Sequence, residues 1–247
     1  TAWYEGPTVL EFLEQVPITD KANFEDFRYP VQYVVRPNLD YRGFASQVAS
    51  GVVKKGDTVM GLPSGKTSTI RSIDTFDGEL AEAFTPQSVV LRLADEIDCS
   101  RGDMLVHPDN LPHVARTFDA TLVWMSETPL DPGKSYWIKH TTQLVRANVD
   151  AIHDRVDMDT LEKVGAETLA LNDIGHVTLT CVRPIYFDDY ALNRNTGSFI
   201  VVDSITNNTV AAGMISADRG GKKGLAESLR VDDDANAKSQ VSAKERT

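Results

Sequence analysis

The sequence is short of several things, and each shortage narrows what the chain can be. It has two cysteines, Cys99 and Cys181, too few for the disulfide framework of a small secreted domain. They fall in segments expected to lie in different barrels, and both are read as buried, reduced thiols of a cytoplasmic protein. No apolar run approaches about 18 residues, so neither a membrane-spanning helix nor a membrane partner is expected. The five histidines, His107, His113, His140, His153 and His176, lack the close spacings of a metal site, and none is expected to be a ligand. Positive charge is also scarce. The chain carries 25 Lys and Arg against 36 Asp and Glu, a net charge of −11. Residues 218–247 hold seven basic and six acidic side chains, so the rest of the chain carries −12. A body this acidic argues against nucleic acid, whose affinity comes largely from Lys and Arg on phosphates. The start, Thr1-Ala2-Trp3-Tyr4, has no initiator Met, basic region or apolar signal core, which suggests an excised or incomplete chain.

What the chain does have is a long series of short strands punctuated by turns. From Phe27 to Ile73 no segment with helical period intervenes. Val31, Tyr33 and Val35 alternate with Gln32 and Val34 until Arg36-Pro37-Asn38 stops the strand. Gly43 and Gly51 bracket a second run, Lys54-Lys55-Gly56-Asp57 makes a turn, and Thr67 to Ile73 alternates again. The local architecture expected is a small antiparallel barrel.

One segment of this stretch imitates a nucleotide site. Gly61-Leu62-Pro63-Ser64-Gly65-Lys66-Thr67 approximates a phosphate loop, but three residues separate its glycines where the loop needs four. Pro63 has no N–H to give a phosphate, and Thr67-Ser68-Thr69-Ile70 favours a strand over the helix such a loop must enter. The segment is read as a hairpin with an exposed Lys66. No N-K-x-D follows anywhere, and Asp218-Arg219-Gly220-Gly221 meets D-x-x-G only within the polar tail. No catalytic, cofactor-binding or metal-binding residue is therefore expected in this chain.

Four regions are expected along its length. Residues 1–26 should hold a short helix of about three turns, opened by Gly6-Pro7-Thr8 and ended by Pro17, with Val9, Leu10, Leu13 and Val16 as an apolar stripe. With no partner evident, the stripe must pack elsewhere, pair with another molecule or fray. Residues 27–112 should form barrel one. Within it, Arg101-Gly102-Asp103 is read as a turn before a closing strand rather than as a catalytic arginine. Residues 113–216 should form barrel two, closed by a hairpin of Gly197–Asp203 and Thr206–Ile215, with Phe199 in its core. Residues 217–247 are too poor in apolar side chains to offset the entropy of ordering, and read as linker or disorder.

Several segments carry a family resemblance. Val31–Val34, Arg36–Gly43 and Leu62–Ser68 resemble the second domain of the large, GTP-binding subunit of bacterial sulfate adenylyltransferase (ATP sulfurylase). That subunit is similar to translation elongation factors, with a GTPase domain followed by two barrels. Trp3–Thr8 resembles the close of the GTPase domain, Ile97–Leu105 the arginine-glycine turn of the second domain, and Leu171–Val177 an asparagine-aspartate-isoleucine turn of the third. The closing hairpin is a second specific match to the sulfurylase subunit. The fold class implied is all-β: consecutive barrels of the elongation-factor domain II and III type, with a short N-terminal helix and a disordered tail. In the resembled enzyme GTP hydrolysis on the large subunit drives a small catalytic subunit that joins ATP and sulfate into adenylyl sulfate. The resemblance thus implies that the barrels serve as a docking and coupling module. The implied partners are that small subunit and the chain's own GTPase domain, where GTP and Mg²⁺ would bind. Two alternatives are kept: the barrels of a bifunctional enzyme with an adenylylsulfate kinase domain, and the tRNA-binding barrels of a translation factor, which the acidic body disfavours.

Overall fold

The computed structural model describes residues 6–15 and 22–216. The tail from Ala217, the Asp218–Gly221 match and Val16 lie outside the described residues. The first element, α1 (Val9–Gln15), has seven residues rather than the three turns expected. It starts with a reciprocal cap: the Glu11 carboxylate accepts from the Thr8 N–H at 2.7 Å, and the Glu11 N–H donates to the Thr8 hydroxyl at 3.2 Å. The Thr8 N–H and the Thr8 hydroxyl, both donating to it, hold the Glu11 carboxyl below the usual carboxylate range. Val9, Leu10, Phe12 and Leu13 are all more than half exposed. Among the described residues, the stripe has no cover.

Barrel one is built from β1 (Arg28–Pro30), β2 (Tyr33–Val35), β3 (Gly43–Gln47), β4 (Val52–Lys54), β5 (Thr58–Leu62), β6 (Lys66–Thr75), β7 (Gly78–Leu80), β8 (Glu82–Phe84), β9 (Ser88–Leu93) and β10 (Met104–Val106). Its main sheet runs β1-β10-β5-β6-β9-β3-β2, with β7 on β6, while β4 and β8 form a separate ribbon. The two ends of that order, β1 and β2, are joined by only Val31 and Gln32. The sheet must therefore curl until its edges meet. That junction corrects the alternation read over Val31–Val35. Val31 is fully buried, but Tyr33 is exposed and Val34 packs on the core. At Val31 the backbone still bonds to Asp103 beside β10, and at Gln32 it has crossed to Ala45 of β3. Turning this corner shifts the register by one residue, which reverses every side chain beyond it.

Barrel two comprises β11 (His113–Trp124), β12 (Ser135–His140), β13 (Gln143–Val156), β14 (Lys163–Val164), β15 (Ile174–Phe187), α2 (Arg194–Gly197), β16 (Ser198–Asp203) and β17 (Thr209–Ser216). The order β12-β16-β17-β11-β15-β13, with a further β12–β13 pairing, closes a complete ring. Full closure leaves those strands no free edge. Strict alternation fills the interior: Phe118, Ala120, Leu122 and Trp124 from β11 meet Val145, Ala147 and Val149 from β13. Phe199 is buried as expected, edge-on to Phe118 at 5.7 Å between ring centres. It lies opposite Gly213, where a Cβ would fall 2.2 Å from the ring, so the strand pair needs glycine there. Cys99 and Cys181 lie in the separate cores of the two barrels, and burial pushes each thiol up to about 12.

Candidate functional site

Of the residues that most invited a catalytic reading, Lys66 starts a strand just after a turn and Arg101 sits in a turn. Lys66 opens β6 opposite Gly61 in an exposed hairpin. The Gly65 N–H bonds to the Gly61 carbonyl at 2.8 Å, and a strand follows instead of a helix. Arg101 lies in the turn closed by the Asp103 N–H on the Ser100 carbonyl at 3.1 Å, just before β10. Among the described residues, no group of three or more His, Cys, Asp or Glu side chains could hold a metal ion.

The feature that stands out is the seam where the barrels meet. In β10, Leu105 points into the core of barrel one while Met104 and Val106 leave it. Strand pairing extends that outer face into two rows, Arg28–Val106–Met60 and Pro30–Met104–Leu62. Barrel two meets it with Val114 and Tyr186, directly paired across β11 and β15. Tyr186 is flanked by Ile185 and Phe187, which belong to the other core. The apolar part of the seam is thus made by residues that alternation alone would place on a surface.

Beside it lies a buried polar lock. Arg28 stands between Phe27 and Tyr29, whose side chains enter the core of barrel one, and it points the opposite way with 2 % exposure. Its Nε donates to Asp188 Oδ2 at 3.0 Å and its Nη2 to Oδ1 at 2.9 Å. Nη1 donates to the carbonyls of Phe27 and Asn110 at 3.0 and 2.9 Å, and Nη2 also reaches Asn110 Oδ1 at 3.0 Å. All five N–H groups of the guanidinium are thereby used. Asp188 accepts further bonds from Thr196 Oγ1 at 2.6 Å and Asn193 Nδ2 at 3.2 Å. Asn193 Nδ2 in turn donates to Ser50 Oγ, and Asn195 Nδ2 to the Ala49 carbonyl, both in barrel one. Near the rim, Asn110 and Asn23 each donate to Asp26 at 2.6 Å. Burial opposes ionisation of Asp26, but these two bonds and the Arg28 charge outweigh it and hold the carboxyl below its usual range.

His140, at the end of β12, completes the underside. It is 1 % exposed, with Nε2 2.7 Å from the Thr196 carbonyl. A carbonyl only accepts, so the ring proton is on Nε2. Burial holds the imidazole pKa below its ordinary value, and the Thr196 bond and the Asp188 charge only partly offset that. A buried ion pair of this kind adds little net stability, because desolvation consumes most of the Coulomb gain. What it fixes is relative placement. Arg28 finds all its acceptors only in one orientation of the barrels.

The lock escaped the sequence because Arg28 and Asp188 are 160 residues apart. A signal was present nonetheless. Met104-Leu105-Val106, the whole of β10, and Ile185-Tyr186-Phe187, at the end of the alternating β15, are unbroken apolar runs, and such runs mark strands covered on both faces.

Two antiparallel barrels, one a closed ring and the other curled until its end strands adjoin, joined by an apolar seam and a polar lock, have the architecture of an elongation-factor-type barrel pair. Residues 117–216 match the family described as GTP-eEF1A C-terminal domain-like. Solved structures of sup35, one complexed with GDP and one with GMPPNP, superpose with a TM-score of 0.71 at 20 % identity. Each match covers 87 % of this chain and 52 % of the other, which shows a shared fold. Sulfate adenylyltransferase subunit 1 of Bacteroides fragilis (strain YCH46) is 57 % identical over 225 residues, 91 % of this chain and 47 % of that protein. The bifunctional enzyme CysN/CysC of Rhodopirellula baltica is 48 % identical over 248 residues, 99 % of this chain and 38 % of the relative. Over about nine-tenths of its length the chain is a homologue of sulfate adenylyltransferase subunit 1. It spans about half the length of the curated relatives it matches.

Proposed function

We propose that this chain is the barrel body of a sulfate adenylyltransferase large subunit, working in the cytoplasm as a docking and coupling module. The observation that carries the reading is the fully satisfied Arg28–Asp188 lock, which makes two barrels behave as one lever. A coupling element must pass a change at one end to the other without absorbing it. On this reading GTP and Mg²⁺ belong to the GTPase portion of the parent subunit. The barrels then carry its state to the small catalytic subunit, where ATP and sulfate form adenylyl sulfate. An acidic body suits a protein partner better than nucleic acid.

Titration of the chain with its cognate small subunit tests the proposal. Measurable binding by the barrels alone, tightened when the GTPase portion is present, is the expected result. If only the complete large subunit bound, the barrels would be spacers. A second reading, the barrels of a bifunctional sulfate adenylyltransferase and adenylylsulfate kinase, is favoured by the reach of the Rhodopirellula baltica match over 99 % of the chain. The coding sequence beyond Thr247 decides between the two.

A further inference from the structure

At the end of β10 away from Arg28, the seam opens into a cleft of about 280 Å³. Its walls come from both barrels, with Arg101, Gly102 and Asp103 on one side and Gln143, Arg183 and Tyr186 on the other. The opening follows from the sequence. Gly102, in the turn before β10, has no side chain to fill the gap, and it holds a φ of +97° that favours glycine. A Cβ there would rest 3.6 Å from the Gln143 side chain.

Three observations concern what the cleft could hold. Arg101 and Arg183 are exposed, and neither forms an ion pair with a carboxylate of the described residues. Arg183 is steadied by a bond from Nη2 to the Leu144 carbonyl at 3.2 Å. Asp103, the one acid in the lining, is engaged by its own turn, accepting the Ser100 N–H at 2.7 Å and its hydroxyl at 3.3 Å. Lastly, Gln143 is only 5 % exposed, yet its side-chain oxygen has no hydrogen-bond partner. Buried amides rarely go unsatisfied without a reason.

We propose that this cleft is a binding site for an oxyanion, a sulfate or phosphate group held between Arg101 of barrel one and Arg183 of barrel two, with the Gln143 amide beneath it. Guanidinium groups suit such an anion because their forked N–H donors match its oxygens. Asp103 in the lining and Asp98 near it balance the two arginine charges, so the draw for an anion is the pair of forked donors. The volume holds an inorganic oxyanion with water, or the phosphoryl end of a larger ligand. Its occupant would bridge the barrels at the opposite end of the seam from the Arg28 lock.

The test is an NMR titration of the ¹⁵N-labelled chain, following the Gly102 amide and the Gln143 side-chain NH₂. Sodium sulfate, inorganic phosphate, AMP and GTP without Mg²⁺ are compared at matched ionic strength with sodium chloride. Saturable shifts are expected, at least tenfold weaker in Arg101→Gln and in Arg183→Gln and absent in the double variant. Both arginines are exposed, so the variants should fold. Saturation by sulfate or phosphate alone would mark a site for the free ion. Saturation only by AMP or GTP would mark a phosphoryl subsite of a nucleotide. Shifts that stay linear, or that are equal in chain and variants, would overturn the proposal, because general salt effects act on both alike.

Discussion

The two barrels solve the same problem by different means. Barrel two is a closed ring with strands of up to 14 residues whose side chains alternate between core and surface over much of their length. Barrel one is assembled from shorter strands, and its sheet closes only because β1 and β2 adjoin in the chain. Its strands β1 and β10 are buried on both faces, so part of what encloses them is barrel two itself. Each barrel nonetheless has a core of its own, and each gives up side chains to the seam, Met104 and Val106 from barrel one and Val114 and Tyr186 from barrel two. Coupling between the barrels is therefore built into that shared burial, with the polar lock setting the angle.

Two substitutions should separate these roles and have the largest effects. Phe199→Ala removes the ring packed between Phe118 and Gly213 and should cost roughly 3–5 kcal/mol. The loss should appear in barrel two. Asp188→Ala leaves the Arg28 charge buried without its partner and should cost a similar 3–5 kcal/mol. Its signature should differ, splitting one cooperative urea transition into two as the barrels uncouple. A single unbroken transition in Asp188→Ala would show that the apolar seam alone couples them. Replacing both partners, as in Arg28→Met with Asp188→Leu, should recover most of the stability, because no lone charge remains.

Acidification should probe the same seam more gently. The His140 pKa is depressed in the fold, so the unfolded chain binds that proton more readily. The contribution of neutral His140 is therefore complete above its ordinary value of 6.5 and is lost as pH falls below it, toward the depressed value in the fold. Urea midpoints between pH 7.5 and pH 5 should fall for the native chain, and less steeply for His140→Gln. Equal slopes would place the acid sensitivity elsewhere. The smallest effect should be that of Lys66→Ala on the hairpin of barrel one, no more than about 0.5 kcal/mol. Calorimetry should detect no GTP or ATP binding that depends on Lys66, and micromolar binding lost in the variant would restore the phosphate-loop reading.

Much of this molecule was legible in the chain itself. Alternation located the strands of both barrels, Phe199 was placed inward correctly, and glycine spacing with Pro63 marked the Lys66 segment as a hairpin. The family resemblance of the barrel segments is borne out by the homology. The misreading at Val31–Val35 has a local cause, since a period-two pattern assumes one continuous strand and the chain there changes neighbours. The seam is a different case. Alternation says which side chains leave a core, but not what lies beyond them. Arg28, Met104, Val106 and Tyr186 all read as outward-facing, and in each barrel alone they would be. Only the docking of segments 160 residues apart decided that they are buried. It decided equally that Arg28 meets Asp188 and that Gly102 leaves a cleft over Gln143. Backbone propensity and side-chain period act over a few residues, whereas a buried charge is settled by whichever distant surface removes it from water.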